Sequence, residues 1–424
     1  MMIRPYAPRD STRSYLLSYL IVSYHILTRG SFFVPPPEAC GLHHADDADM
    51  LACSCASVGL SLEPPPPAHT FPPYTPRDYF KFEVTHESKK PGSRARLGRI
   101  HTPHGIIDTP GFVPVGTSAA LKGVTDEQAM AAGVQLMFCN TYHLMVHPGS
   151  EVVAAGGGLH RYMGRSGPII TDSGGFQVFS LAPKTDADGP ELKARSKSGN
   201  QATLTSVNEK GVKFRSYFDS TEIVLTPESS VLAQKDLGGD IIIPLDELPP
   251  YHITRERLEQ SVALAPLDGP GPDPGPDLSP DLNLTTDGRG PDPGPELSPN
   301  LNLTTDPQLK PNQVALSHRW MARSLRQHLS DPREQAMYAV VHGGTDLELR
   351  HASAEYLSSL PFDGFALGGS LGKDRDEMLQ MLGQLMPALP REKPNHLLGI
   401  ADEASVRGAV ALGVDTFDSC LPTR

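Results

Sequence analysis

The residues able to do chemistry gather at the ends of apolar runs. Ile169, Ile170 and Thr171 form a β-branched run that leads straight into Asp172-Ser173-Gly174-Gly175-Phe176-Gln177. A strand ending this way presents a carboxylate beside open backbone N–H groups, because Ser and Gly make turns and leave main-chain donors uncovered. A second such ending is Val414-Asp415-Thr416-Phe417-Asp418-Ser419-Cys420-Leu421-Pro422-Thr423-Arg424. Four more apolar runs end in Asn140-Thr141-Tyr142-His143, Asp246-Glu247, His342-Gly343-Gly344 and Gly368-Gly369. One polar or glycine ending is ordinary turn chemistry. Six of them point to a single functional rim.

These endings need a scaffold that brings them together. Apolar strand candidates lie at 112–115, 135–139, 168–171, 240–245, 337–341, 363–367, 396–400 and 414–418. Helical patterns fall between them. Pro227–Leu237 carries Thr226 as N-cap, Pro227 at the first helical position and Gly238 as its stop. Others cover 349–360, 374–389 and 403–412. Eight strands with intervening helices predict an α/β fold, a (β/α)8 TIM barrel, with its active site at the C-terminal ends of the strands. The stretch 200–223 alternates like a hairpin and reads as an excursion from the barrel.

The chain has 424 residues, 38 % of them hydrophobic, with 42 prolines, a dilution expected of a normal core joined to unstructured segments. Residues 1–75 read as a disordered or targeting extension, or as sequence outside the true start. Early arginines (Arg4, Arg9, Arg13, Arg29) precede proline runs without periodicity. Residues 269–306 are two copies of a 19-residue Pro/Gly repeat, which forms neither helix nor ladder strand. The repeat interrupts an amphipathic pattern that runs from 254–264 into 317–328. Roughly 265–316 is therefore expected to be a disordered insertion, or retained non-coding sequence, within a domain spanning 76–424.

The net charge of −12 argues against a nucleic-acid partner at first sight. Its distribution weakens the objection. Residues 1–75 carry four Arg against six acids, and 266–312 two basic residues against eight acids, so most of the excess lies outside the barrel. Five cysteines without even, close spacing suggest a reducing compartment. That means the cytoplasm, or a mitochondrion or plastid if the extension is a targeting segment. No apolar run reaches 18 residues, so no membrane span is expected.

Taken together, the DSGGFQ segment, the CNTYHL segment, Phe365 to Gly369 and the DTFDSCLPTR terminus resemble the tRNA-guanine transglycosylases (queuine tRNA-ribosyltransferases) of the catalytic-subunit type. The resemblance covers about residues 80–424 without the insertion. It implies exchange of the anticodon wobble guanine for a 7-deazaguanine, queuine or its precursor, in queuosine modification. It implies Asp418 as nucleophile and Asp172 as general acid/base. Base-pocket positions would be Ser173, Gly174, Gly175, Phe176, Gln177, Asn140, Asp246, His342 and Gly369. His342 stands where glutamine is commoner, and a buried structural histidine is the alternative. Gly399-Ile400-Ala401-Asp402-Glu403-Ala404-Ser405 and Thr423-Arg424 would contact tRNA. A homodimer, or a heterodimer with a paralogous subunit, is the implied assembly.

Those residue types suit that chemistry. A carboxylate can capture an oxocarbenium-like ribose covalently while a second acid handles the proton on the departing base. Asp415, beside Asp418, ranks second as nucleophile. A surface acid at Asp418 and a helix cap at Asp172 are the plain alternatives. Members of the family continue past this Pro-Thr-Arg into a basic stretch and a C-x-C-x-x-C plus His zinc site. The chain is thus expected to be C-terminally truncated, without the last barrel helix, the zinc or any metal ligand; Cys53 and Cys55 are no substitute. An open barrel and an unstable chain would follow. A non-catalytic partner subunit or an inactive fragment are the competing functions; the first should lack a nucleophile, and Asp418 is present.

Overall fold

The computed structural model describes residues 64–180, 203–247 and 309–421. Eight parallel strands form the central sheet: β4 (Gly111–Pro114), β5 (Met137–Cys139), β6 (Ile169–Thr171), β10 (Ile241–Ile242), β11 (Ala336–Val341), β12 (Gly364–Leu367), β13 (Asn395–Leu397) and β14 (Thr416–Ser419). Neighbours in sequence are neighbours in the sheet, and β14 returns to pair with β4. The last edge is joined by a parallel bridge between Val115 and Phe138, with Gly116 N–H donating to the Phe138 carbonyl at 2.7 Å. The ring is that of a TIM barrel. Strands β4 and β5 thus meet across this seam and complete the ring of strands.

All eight predicted strands are present, six of them shorter than the apolar runs that marked them, β4 of equal length and β11 one residue longer. Apolar residues such as Ile169, Ile170, Val340, Leu367 and Phe417 fill the core, because a parallel strand covered on both faces needs apolar side chains on both. The helix Pro227–Leu237 starts and stops where expected. Thr226 and Ser229 form a reciprocal cap, and Gly238 takes the left-handed conformation at φ +70°. The excursion is a three-stranded antiparallel sheet, β7 (Thr203–Asn208), β8 (Gly211–Arg215) and β9 (Glu222–Leu225). It packs Val207, Val212, Phe214 and Leu225 with Tyr142, Leu245 and the buried Trp320.

Sequence patterning overlooked a second antiparallel sheet, β1 (Lys81–Glu87), β2 (Arg96–Thr102) and β3 (Gly105–Thr109). It is tied to the barrel by two polar clamps. Arg96 makes a two-point contact with Asp415, Nε to Oδ1 at 2.9 Å and Nη2 to Oδ2 at 2.7 Å. The second clamp is Asp240, whose Oδ1 accepts from His104 Nδ1 at 2.8 Å and whose Oδ2 accepts from Ile169 N–H at 2.8 Å, with His160 Nε2 3.2 Å away. The two imidazoles stack at 3.5 Å. Burial works against the Asp240 charge, but these partners outweigh it and hold its pKa below the ordinary value. His104 Nδ1 bonds to one carboxylate oxygen, whereas His160 Nε2 lies close to the other without a hydrogen bond, so the trio is a buried polar clamp.

Two expected boundaries move. Residues 64–75 do not stand apart from the barrel: Phe71 is buried under the Arg326 guanidinium, and Tyr356 Oη donates to the Pro66 carbonyl. The helix Leu309–Ser330 begins seven residues before the expected end of the insertion at 316. Its apolar face, with Trp320, Met321 and Leu325, packs into the fold. Residues 1–63, the repeat at 269–306 and the amphipathic stretch 254–264 lie outside the described residues. Among the described residues, no helix is long and apolar enough to cross a membrane.

Candidate active site

The barrel brings the predicted strand endings to one mouth. Asp172 follows β6, and β5 pairs alongside through Cys139 and Thr171. Asp172 Oδ2 accepts from Asn140 Nδ2 at 2.7 Å and Gln177 Nε2 at 2.8 Å, and Oδ1 accepts from Thr141 N–H at 2.8 Å. Burial nevertheless raises its pKa above the ordinary carboxyl value, with the Asn140, Thr141, Gln177 and Gly174 bonds pulling the other way. The group is thus biased toward holding a proton while being fixed in place. The sequence reading missed Thr141, whose hydroxyl also donates to the Asp172 carbonyl at 2.6 Å. The carboxylate also has capping character, because the Thr141 N–H it accepts opens the helix Thr141–Val146.

Two glycines make room beside it. Gly174 has φ +83°, and a Cβ on Gly175 would lie 2.9 Å from Leu245 Cδ1 and 3.1 Å from the Asp246 carbonyl oxygen. Ser173 is buried and its Oγ accepts from Gly175 N–H. Phe176 is 59 % exposed, an aromatic face at the rim available to a planar partner.

Beyond the neighbouring strand β10, Asp246 is buried with His342 Nε2 2.9 Å from its Oδ2. Glu247 next to it is pushed up to about 7, first by burial and then by the Asp246 charge. Gly369, at φ +74°, follows β12 with its backbone exposed.

Asp418 lies in β14, 7 % exposed, and its Oδ1 accepts from Gly399 N–H at 2.8 Å and faces His396 Nε2 at 3.0 Å. The surface-acid alternative for it is therefore excluded by burial. Asp415, the second-ranked nucleophile, is fully buried against Arg96 and receives Asn395 N–H. Both of its oxygens are committed, Oδ1 to Arg96 Nε and Oδ2 to Arg96 Nη2 and Asn395 N–H. His396 was not foreseen, although a histidine inside an apolar strand run was a visible signal.

A family model described as Queuine tRNA-ribosyltransferase matches residues 91–265 and 298–424. The chain belongs to the queuine tRNA-ribosyltransferase family. It is 51 % identical over 346 residues to the Queuine tRNA-ribosyltransferase of Protochlamydia amoebophila, covering 82 % of this chain and 75 % of that protein. It is 45 % identical to the Queuine tRNA-ribosyltransferase of Chlamydia caviae over 344 residues, covering 81 % and 76 % respectively. That of Chlamydia felis is 44 % identical over a similar span. The family match omits 266–297, which contains most of the Pro/Gly repeat.

Within this queuine tRNA-ribosyltransferase fold, the expected tRNA segment divides by exposure. Ala401 and Ser405 are buried, and Asp402 caps the following helix through Ser405 N–H. Their side chains therefore serve packing and capping. Gly399, Glu403 and Ala404 form the exposed part. Thr423 and Arg424 lie outside the described residues.

The described residues do not fit a thiolate zinc site. Cys139 is buried in β5 with its thiol pushed up to about 12 by burial, and the other described cysteine, Cys420, follows β14. Cys53 and Cys55 lie outside the described residues.

Proposed function

We propose that this chain exchanges guanine at the wobble position of a tRNA anticodon for a 7-deazaguanine base, queuine or its precursor, through a covalent Asp418–ribosyl intermediate. The observation that carries the reading is the pairing of two carboxylates of different character in one barrel mouth. Asp418 is held by donors on one oxygen, and Asp172 is biased by burial toward its protonated form.

In this mechanism the target nucleotide leaves its stack to enter the mouth. Its guanine lies against Phe176. Asp246 accepts from N1–H and the exocyclic amino group, and Gly369 N–H donates to the base carbonyl. An Asp418 oxygen attacks C1′ as the C1′–N9 bond breaks, passing through an oxocarbenium-like state. The bonding pair leaves with guanine, which takes the proton of Asp172. The incoming base then gives a proton to the Asp172 carboxylate, its ring nitrogen bonds to C1′, and Asp418 departs with the C1′–O pair.

The test is covalent trapping on the full chain with a tRNA carrying a wobble guanine, read on a denaturing gel alongside base exchange. Wild type forms the adduct, Asp418→Asn forms none, and Asp172→Asn slows exchange by roughly a hundredfold or more. Undiminished exchange by Asp418→Asn rejects the proposal.

A further inference from the structure

Asp418 is supported from inside the barrel by a histidine that the reading of the sequence passed over. His396 is in β13, completely buried, and registers against Thr416 of β14. Thr416 and Asp418 are two residues apart and share one face of that strand. The imidazole bridges them: Nε2 is 3.0 Å from Asp418 Oδ1, and Nδ1 is 2.9 Å from Thr416 Oγ1. Thr416 Oγ1 also lies 3.1 Å from the Asn395 carbonyl oxygen. The Phe138 ring stacks near the imidazole, 6.0 Å between centroids at 25°.

The proton inventory of this chain constrains what Asp418 meets. Thr416 has one hydroxyl proton, and its rotor can turn. Pointed at Nδ1, it leaves a neutral imidazole whose proton sits on Nε2. Pointed at the Asn395 carbonyl, it accepts from Nδ1–H. With Asp418 as the carboxylate that the proposed attack requires, a bare Nε2 would set lone pair against lone pair at 3.0 Å, so the favourable contact in either arrangement is Nε2–H to Oδ1. Gly399 N–H donates to the same atom. Oδ1 is thus committed to two donors, whereas Oδ2 has no hydrogen-bond partner among the described residues.

We infer that His396 is a positioning residue that reserves Oδ2 of Asp418 for attack on C1′ and speeds the later departure of that carboxylate. The inference rests on Asp418 being the nucleophile. When Oδ2 bonds to C1′, the carboxylate charge is lost and Oδ1 becomes an ester carbonyl, a weaker acceptor. When the incoming base displaces it, the C1′–Oδ2 pair returns to the carboxylate and the charge re-forms under Nε2–H and Gly399 N–H. Donors that bind the charged form more strongly than the ester favour the second step. The same donors moderate the attacking power of the free carboxylate, so the two steps respond unequally to His396.

The experiment separates these steps on the full chain. Adduct formation is followed with tRNA and no free base, and release is then followed after adding a 7-deazaguanine. His396→Phe keeps a ring and removes Nε2–H; Thr416→Val removes the hydroxyl that places the proton; His396→Gln retains an amide N–H. Release by His396→Phe should slow roughly ten- to hundredfold, the range for losing a hydrogen bond to a charged group, with formation changed far less. Thr416→Val should slow release in the same sense, and His396→Gln should recover much of the loss. Wild-type release by His396→Phe, or formation and release falling by one common factor, overturns the inference. If His396→Phe shows no cooperative melting transition, Thr416→Val decides, and a wild-type release rate there overturns it. An adduct formed by Asp418→Asn instead rejects the underlying nucleophile assignment.

Discussion

His342 Nε2 lies 2.9 Å from Asp246 Oδ2, with each side chain 6 % exposed. The contact occupies one carboxylate oxygen; in the proposed function the other accepts from the base edge. His342 is itself anchored, because its backbone N–H donates to Ser353 Oγ, which also meets His318 Nε2 at 2.9 Å. His342→Leu removes the donor and leaves a buried carboxylate short of a partner, whereas His342→Gln restores an amide N–H. The KM for the free base should rise about tenfold or more in His342→Leu and much less in His342→Gln. Equal KM values in wild type and His342→Leu would remove His342 from the base pocket.

Glu247 supplies a pH signature. Its folded pKa is about 7 against an ordinary 4.5, because it is buried beside Asp246. Between those values the folded chain holds a proton that the unfolded chain has released. Its contribution therefore weakens stability as pH rises through this window, with the full cost present above about 7. Glu247→Gln should match wild type near pH 4 and exceed it at pH 8, by up to roughly 3 kcal/mol. Urea unfolding of both proteins across that range checks it; a difference independent of pH would contradict the shift.

Asp415 and Asp418 should separate cleanly in stability. Asp415→Asn strips the charge partner from a buried guanidinium at Arg96 and should cost about 3–5 kcal/mol. Asp418→Asn keeps an acceptor oxygen near His396 and Gly399 and should cost about 1 kcal/mol or less. Denaturant midpoints decide. A larger loss in Asp418→Asn than in Asp415→Asn would mean that Asp418 is the structural acid of the two.

The sequence by itself determined the order of the barrel, because each strand is a local apolar run and each ending is a local change to acid, amide or glycine. The placement of Asp172, Asp246 and Asp418 at strand ends was legible for that reason. So was the helix Pro227–Leu237, whose cap, first-turn proline and terminal glycine act within a few residues of each other. Only the tertiary structure separates the surroundings of Asp415 and Asp418. They are three residues apart and chemically identical, and what distinguishes them is Arg96 on a sheet more than 300 residues earlier. The same holds for β1 to β3, whose mixed polar pattern becomes a sheet through pairing and through Asp240 and Asp415. It holds for Ala401 and Ser405, buried by neighbours beyond their own segment, and for His396, whose role arises from strand register with Thr416. Local periodicity and turn chemistry place a residue on an element. Which atoms of different elements meet is set by how the ring closes, and no short window of sequence contains that information.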